Sequence, residues 1–79
     1  MKRQLANIIL FHRKRSGLTQ VELAEMAGVG KNMVYELEKG KQSIQLDNIL
    51  RVLQVLNIEL TFQSPLRESF MKEHPDADC

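Results

Sequence analysis

An all-α fold of four to five short helices, finished by one C-terminal β-strand, is what this sequence predicts. Three patterns lead there. Apolar residues recur at helical spacing in four stretches between residues 2 and 56. Gly17, Gly28 and Gly40 punctuate those stretches where helices would stop. Residues 58–63, Ile-Glu-Leu-Thr-Phe-Gln, then switch to strict apolar/polar alternation.

The first helix is expected over about residues 2–16, with Leu5, Ile8, Ile9 and His12 on one face and Gly17 at its end. His12 holds an apolar position. It reads as a packed, hydrogen-bonded ring; the alternative, a metal ligand, lacks a second histidine or thiol at ligand spacing. His74 is too isolated to supply one. Thr19 opens the second helix as an N-cap, and Glu22 three residues later completes a capping box. Leu23, Met26 and Ala27 form the expected buried stripe. Gly28 stops the helix where positive φ is needed, and Val29 plugs the turn. The third helix runs from about residue 31 to 38, with Val34 and Leu37 inward and Gly40 after its end.

Asp47 is the candidate cap of the fourth helix, whose Ile49, Leu50, Val52, Leu53 and Leu56 make residues 46–57 mostly core. The strand that follows has no partner elsewhere in the chain. A lone strand leaves its backbone groups unpaired, so Ile58, Leu60 and Phe62 are expected to pair with the same strand of a second subunit. An extension of helix four or an irregular tail is the alternative. Ser64 and Pro65 end this segment, dividing a helical and dimerisation domain, 1–63, from an acidic, partly flexible tail, 64–79. In that tail Leu66, Phe70 and Met71 could form one helical turn that anchors on something, and the chain beyond Glu73 is expected to be mobile.

Composition narrows the function classes. A single domain of 79 residues buries only about 60% of its unfolded surface, so it gains from oligomerising. No stretch approaches the roughly 18 apolar residues of a membrane span. The first ten residues lack the apolar run of a secretory signal. The one cysteine, Cys79, excludes an intramolecular disulfide and fits a cytoplasmic location. There is no glycine-rich phosphate loop, no metal-ligand spacing and no nucleophile–base pair, so no catalytic residue, metal or cofactor is expected. Glu36 and Glu38, two apart on a helix, point to different faces and make no catalytic carboxylate pair.

The net charge of +1 is unevenly spread. Residues 1–41 carry eight basic and four acidic side chains; residues 42–79 carry three and six. Such asymmetry suits one face for a polyanion and another for a different partner, although scattered solvated charge would give the same count.

Residues 17–40 thus form two short helices joined by a tight turn, and they offer what DNA reading requires. Ala24, Gly28, Val29, Val34 and Leu37 can lock the helix pair. Thr19 and Gln20 lie at a helix N-terminus, where backbone N–H groups meet phosphate. Gly30, Lys31, Asn32 and Tyr35 occupy the exposed start of the next helix, while Lys39 and Lys41 flank its end and can neutralise phosphates.

Arg13-x-x-x-Gly17-Leu18-Thr19-Gln20-x-x-Leu23-Ala24, then Gly28-Val29 and Val34-x-x-Leu37-Glu38-x-Gly40, resembles the phage-repressor (Cro/C1, or Xre) helix-turn-helix family. The resemblance covers about residues 5–56 and implies a lambda-repressor-like fold. It implies that Gln20 contacts phosphate and that Lys31, Asn32 and Glu36 reach base edges. Tyr35 would touch backbone or a thymine methyl. Arg13 and Glu38 match the family's paired arginine and glutamate, a partly buried salt bridge; two exposed charges are the alternative.

Within that family, Leu5-Ala6-Asn7, Arg13, Thr19-Gln20 and the ending Leu50-x-x-Leu53-Gln54-x-Leu56-x-Ile58-Glu59-Leu60 look like HipB-type antitoxins. This implies a strand paired across a homodimer, a palindromic operator, autorepression of an operon, and binding of a HipA-type Ser/Thr kinase toxin. Met33 and Tyr35 are bulkier than is common in the family, so operator sequence is not carried over. Nor is a tail-in-pocket toxin contact, because the tail has no tryptophan. A stand-alone regulator and a protein-interaction module without DNA binding are the competing functions.

Overall fold

The computed structural model describes residues 2–61 and 63–74. Five helices follow in order: α1 (Lys2–Arg15), α2 (Gln20–Ala27), α3 (Lys31–Glu38), α4 (Leu46–Val55) and α5 (Arg67–Glu73). The architecture is all-α.

One device ends each of the first four helices. A residue in the left-handed region follows the helix: Gly17, Gly28, Gly40 and Asn57, with φ of 73°, 71°, 86° and 58°. The next residue then donates its N–H five residues back. These bonds are Leu18 to Arg13 O, Val29 to Ala24 O, Lys41 to Glu36 O and Ile58 to Leu53 O, at 2.9–3.2 Å. Orphan carbonyls are satisfied, and the chain turns sharply. At three of the four ends the turning residue is apolar, and Leu18, Val29 and Ile58 all pack against the core.

The helix starts are less uniform. Thr19 caps α2 as expected: its hydroxyl accepts from Glu22 N–H at 3.0 Å, and Glu22 Oε1 accepts from Thr19 N–H at 2.8 Å. Gly30 precedes α3 with no side-chain cap. Asp47 does not cap α4. That helix begins at Leu46 after Gln45, so Asp47 falls in the first turn, where its charge favours the helix dipole instead. Four basic residues in the last turn of α1, His12 to Arg15, favour the opposite pole.

The core joins Ile9 of α1, Leu23 and Ala24 of α2, Val34 and Leu37 of α3, and Val52 and Leu53 of α4, with Leu56 closing it. α2 packs on both α3 and α4, and α3 also packs on α1. Each fully buried Leu, Ile or Val contributes about 1.5–3 kcal/mol relative to exposure. Met26 is not part of this core: it is 61% exposed. The buried line of α2 runs through Leu23, Ala24 and the half-buried Ala27, away from Met26. Leu46 and Leu50 are also exposed. Leu50 lines a shallow groove with Leu53, Asn57, Ile58 and Leu60.

No strand is present among the described residues. Residues 58–61 have no regular structure, and Phe62 lies outside the described set. The alternation is real, but pairing needs a second extended backbone, and the described residues offer none. The tail's expected helical turn is the seven-residue α5, which buries none of its side chains. The expectation of mobility concerns residues after His74, which lie outside the described set. His12 Nδ1 lies 2.7 Å from the Ile8 carbonyl, the bond that satisfies the ring. No described helix is long and apolar enough to cross a membrane.

Candidate nucleic-acid interface

α3 is amphipathic in a way that makes it a presented rod. Val34 and Leu37 are buried in the core. Lys31, Asn32, Tyr35 and Lys39 are exposed on the other side, and Glu36 is half-buried beside them. The spacing i, i+1, i+4, i+5 and i+8 keeps these five on one face. The tight turn at Gly28 and Gly30 sets the start of this rod beside α2.

What fixes the rod is a three-helix clamp centred on Glu38. Arg13 Nε of α1 donates to Glu38 Oε2 at 2.6 Å, and Arg13 Nη2 donates to Oε1 at 3.2 Å. Gln20 Nε2 of α2 donates to the same Oε1 at 2.9 Å. Arg13 Nη1 reaches the Leu18 carbonyl at 2.8 Å, tying in the α1–α2 turn. The side chains of Arg13 and Glu38 are only 11% and 5% exposed. A bidentate pair of this kind carries direction as well as energy. It holds α3 against α1, while Gln20 holds it against α2.

The structure therefore brings Arg13 and Glu38 together and adds Gln20 to them. The Gln20 amide is half-buried and faces Glu38. Thr19, beside it, uses its hydroxyl oxygen as the cap acceptor and keeps the O–H as a donor.

Two lysines are tied to α3. Lys41 Nζ lies 2.9 Å from Glu36 Oε2, and Lys39 Nζ sits 5.3 Å from the Tyr35 ring centre. Both contacts are on the surface, so each costs little to break. The Tyr35–Lys39 contact follows from their i, i+4 spacing, whereas the Lys41 contact does not appear in a helical-wheel reading, because Lys41 lies beyond the helix. Ile58 and Leu60 line the groove beside α4, far along the chain from α3.

The surface that results has a polar helix face of net positive charge with exposed long side chains, flanked by the N-terminus of a second helix. It can donate to phosphate and reach into a groove of a duplex. The comparisons with known proteins agree in kind. A helix-turn-helix family model matches residues 12–63. The chain is 42% identical over 53 residues to the uncharacterized HTH-type transcriptional regulator y4mF of Sinorhizobium fredii, covering 67% of this chain and 70% of that protein. It is also 42% identical over 55 residues to an uncharacterized HTH-type transcriptional regulator of Methanothermobacter thermautotrophicus, covering 70% and 80%.

Proposed function

Because the chain belongs to the Cro/C1-type helix-turn-helix family of transcriptional regulators, non-enzymatic proteins that bind DNA, we propose that it is a sequence-specific repressor. In this reading it binds a palindromic operator as a homodimer. The observation that carries the reading is the clamped α3, whose exposed face is polar and basic while its opposite face is locked in the core.

Lys31 and Asn32 then enter the major groove, as bidentate partners of guanine and adenine edges respectively. Tyr35 lies against backbone or a thymine methyl. Thr19, the backbone at Gln20, Gly30, Lys39 and Lys41 meet phosphates. Residues 1–63 make up the working domain, with 64–79 as its tail.

For the dimer, residues 58–63 pair with their counterparts across a two-fold axis. No backbone–backbone hydrogen bond joins residues 59–61 to another described residue, which leaves this edge open to a second copy. The apolar Leu50, Ile58 and Leu60 beside it favour the same surface.

The antitoxin role, with a HipA-type kinase as partner, rests on the HipB-like ending at residues 50–60. A stand-alone regulator is the second reading, favoured by the descriptions of both relatives as transcriptional regulators. Affinity capture from the native host followed by mass spectrometry separates them: a co-purifying kinase supports the antitoxin, and none supports the stand-alone regulator. The DNA reading is tested by operator binding. Lys31→Ala and Asn32→Ala should each lose about 1–3 kcal/mol of discrimination between operator and altered sites. Parent-like discrimination in both variants would exclude this face of α3 as the reader.

A further inference from the structure

Two helices leave an apolar stripe without a partner. On α1 the stripe is Ile8, Phe11 and Arg15, at i, i+3 and i+7. α1 meets α3 through its opposite side, where Ala6 and Ile9 are buried. Ile8 is exposed and Phe11 is 54% exposed, while Arg15 holds its guanidinium carbon 4.9 Å from the Phe11 ring centre. The stripe thus ends in a cation held over an aromatic face.

The second stripe begins at the residue before α5 and is Leu66, Phe70 and Glu73, at i, i+4 and i+7. Leu66 is 70% exposed, Phe70 is exposed, and no side chain of α5 is buried. This stripe ends in a carboxylate. Arg67 and Lys72 fall on other sides of the helix.

We propose that the outer face of α1 is the docking site for α5 of a second copy, and that this contact links copies standing side by side on DNA. The contact itself goes beyond the DNA reading above; its use on DNA rests on that reading.

The two stripes match in length and in charge. Each spans seven residues, about 10 Å of helix. A parallel alignment sets Ile8 against Leu66 and Phe11 against Phe70, and brings Arg15 to Glu73. α1 carries five basic residues and no acidic one, and Arg13 alone of these is spent on Glu38 in the clamp. Residues 64–79 carry four acidic and two basic side chains. A second α1 would set cation against cation and is disfavoured. The chain's own α5 does not cover the face, since Ile8 and Phe11 stay exposed. A contact that uses one face on one copy and a different face on the next is heterologous, so it joins copies in a row. Two aromatic and two aliphatic side chains make a small interface. It is weak between free copies and gains when one duplex holds them close.

The test is sedimentation equilibrium of the full chain without DNA, at low salt and rising concentration. The parent, Phe11→Gln, Phe70→Gln and an equal mixture of the two variants are compared, each checked for folding by its circular dichroism. The parent should grow beyond its base unit, whether that unit is a monomer or the two-fold dimer. Each variant should weaken this growth about tenfold, because one buried aromatic contact is lost. The mixture should regain it, since one variant keeps the α1 face and the other keeps α5. Arg15→Glu and Glu73→Arg should each weaken growth, and the double variant should restore it. A parent that stays at one size overturns the contact. So does growth lost in only one of the two phenylalanine variants, or a mixture that stays apart. On a duplex with two adjacent operators, selected from randomised DNA, the parent should fill both sites cooperatively. Phe11→Gln should fill them independently, with single-site affinity unchanged. Independent filling by the parent overturns the linking role while the contact stands. A folded parent that selects no operator removes the DNA reading, and sedimentation still decides the contact.

Discussion

Replacing Arg13 by methionine should cost far more stability than its place on a small domain's surface suggests. Glu38 accepts three hydrogen bonds, two from Arg13 and one from Gln20, and its side chain is only 5% exposed. Arg13→Met leaves that carboxylate almost out of water with one neutral donor, and strips the Leu18 carbonyl of its partner. Breaking one side of a buried pair costs about 3–5 kcal/mol. Domains of this class have about 5–15 kcal/mol in all, so a large part of the stability disappears. The midpoint of thermal unfolding should fall by more than about 12 °C, at about 4–8 °C per kcal/mol. Glu38→Leu should be similarly costly, because it strands the guanidinium. The double variant Arg13→Met/Glu38→Leu should return to within about 1.5 kcal/mol of the parent, since no charge is left unpaired and only hydrogen bonds at half-buried groups are lost. Urea titrations followed by circular dichroism, at one protein concentration, give the coupling energy directly. Single losses below about 1 kcal/mol, or a double variant equal to the sum of the singles, would refute the clamp.

Three further outcomes are expected. Asn57→Val should destabilise by about 1–2 kcal/mol, because a β-branched residue resists the left-handed backbone that Asn57 adopts, whereas Asn57→Gly should not; unfolding curves for the two variants check this. Gly30→Ser should leave the melting temperature unchanged or raise it by the equivalent of a few tenths of a kcal/mol, since nothing lies within 4 Å of an added Cβ and a serine there could cap α3. Its affinity for DNA, measured by fluorescence anisotropy, should fall if the duplex approaches that backbone. Leu60→Pro should weaken the dimer about tenfold by removing an intersubunit N–H bond while sparing the monomer fold; an unchanged dimer constant by sedimentation would count strongly against the proposed strand.

Features set by near neighbours were legible in the sequence. Thr19 and Glu22 are three residues apart and cap α2 with no help from the rest of the chain. Gly17, Gly28 and Gly40 stand where the backbone adopts positive φ, which an asparagine also tolerates, so Asn57 escaped notice as their equivalent. Features set by packing partners were harder to read. A stripe through Leu23 can widen toward Met26 or toward Ala24 and Ala27, and only the positions of α3 and α4 decide between them. Gln20, Ala24 and Ala27 follow each other at i, i+4 and i+7, a signal that would have turned the Gln20 side chain inward toward Glu38. The apolar face of α4 is broader than the core needs, so Leu46 and Leu50 emerged exposed. At the candidate interface the side chains of α3 follow from helical periodicity. The Glu36–Lys41 pair does not, since it depends on how the chain leaves the helix.

The central claim is that two clamped α3 helices read DNA as a symmetric pair. Chemical footprinting of the parent protein on its selected operator tests it most directly. Two protected major-groove patches related by a dyad, about 34 Å apart on one face of the duplex, are the expected result. A single protected patch would contradict the symmetric pair, and uniform coverage without a boundary would contradict sequence reading by α3.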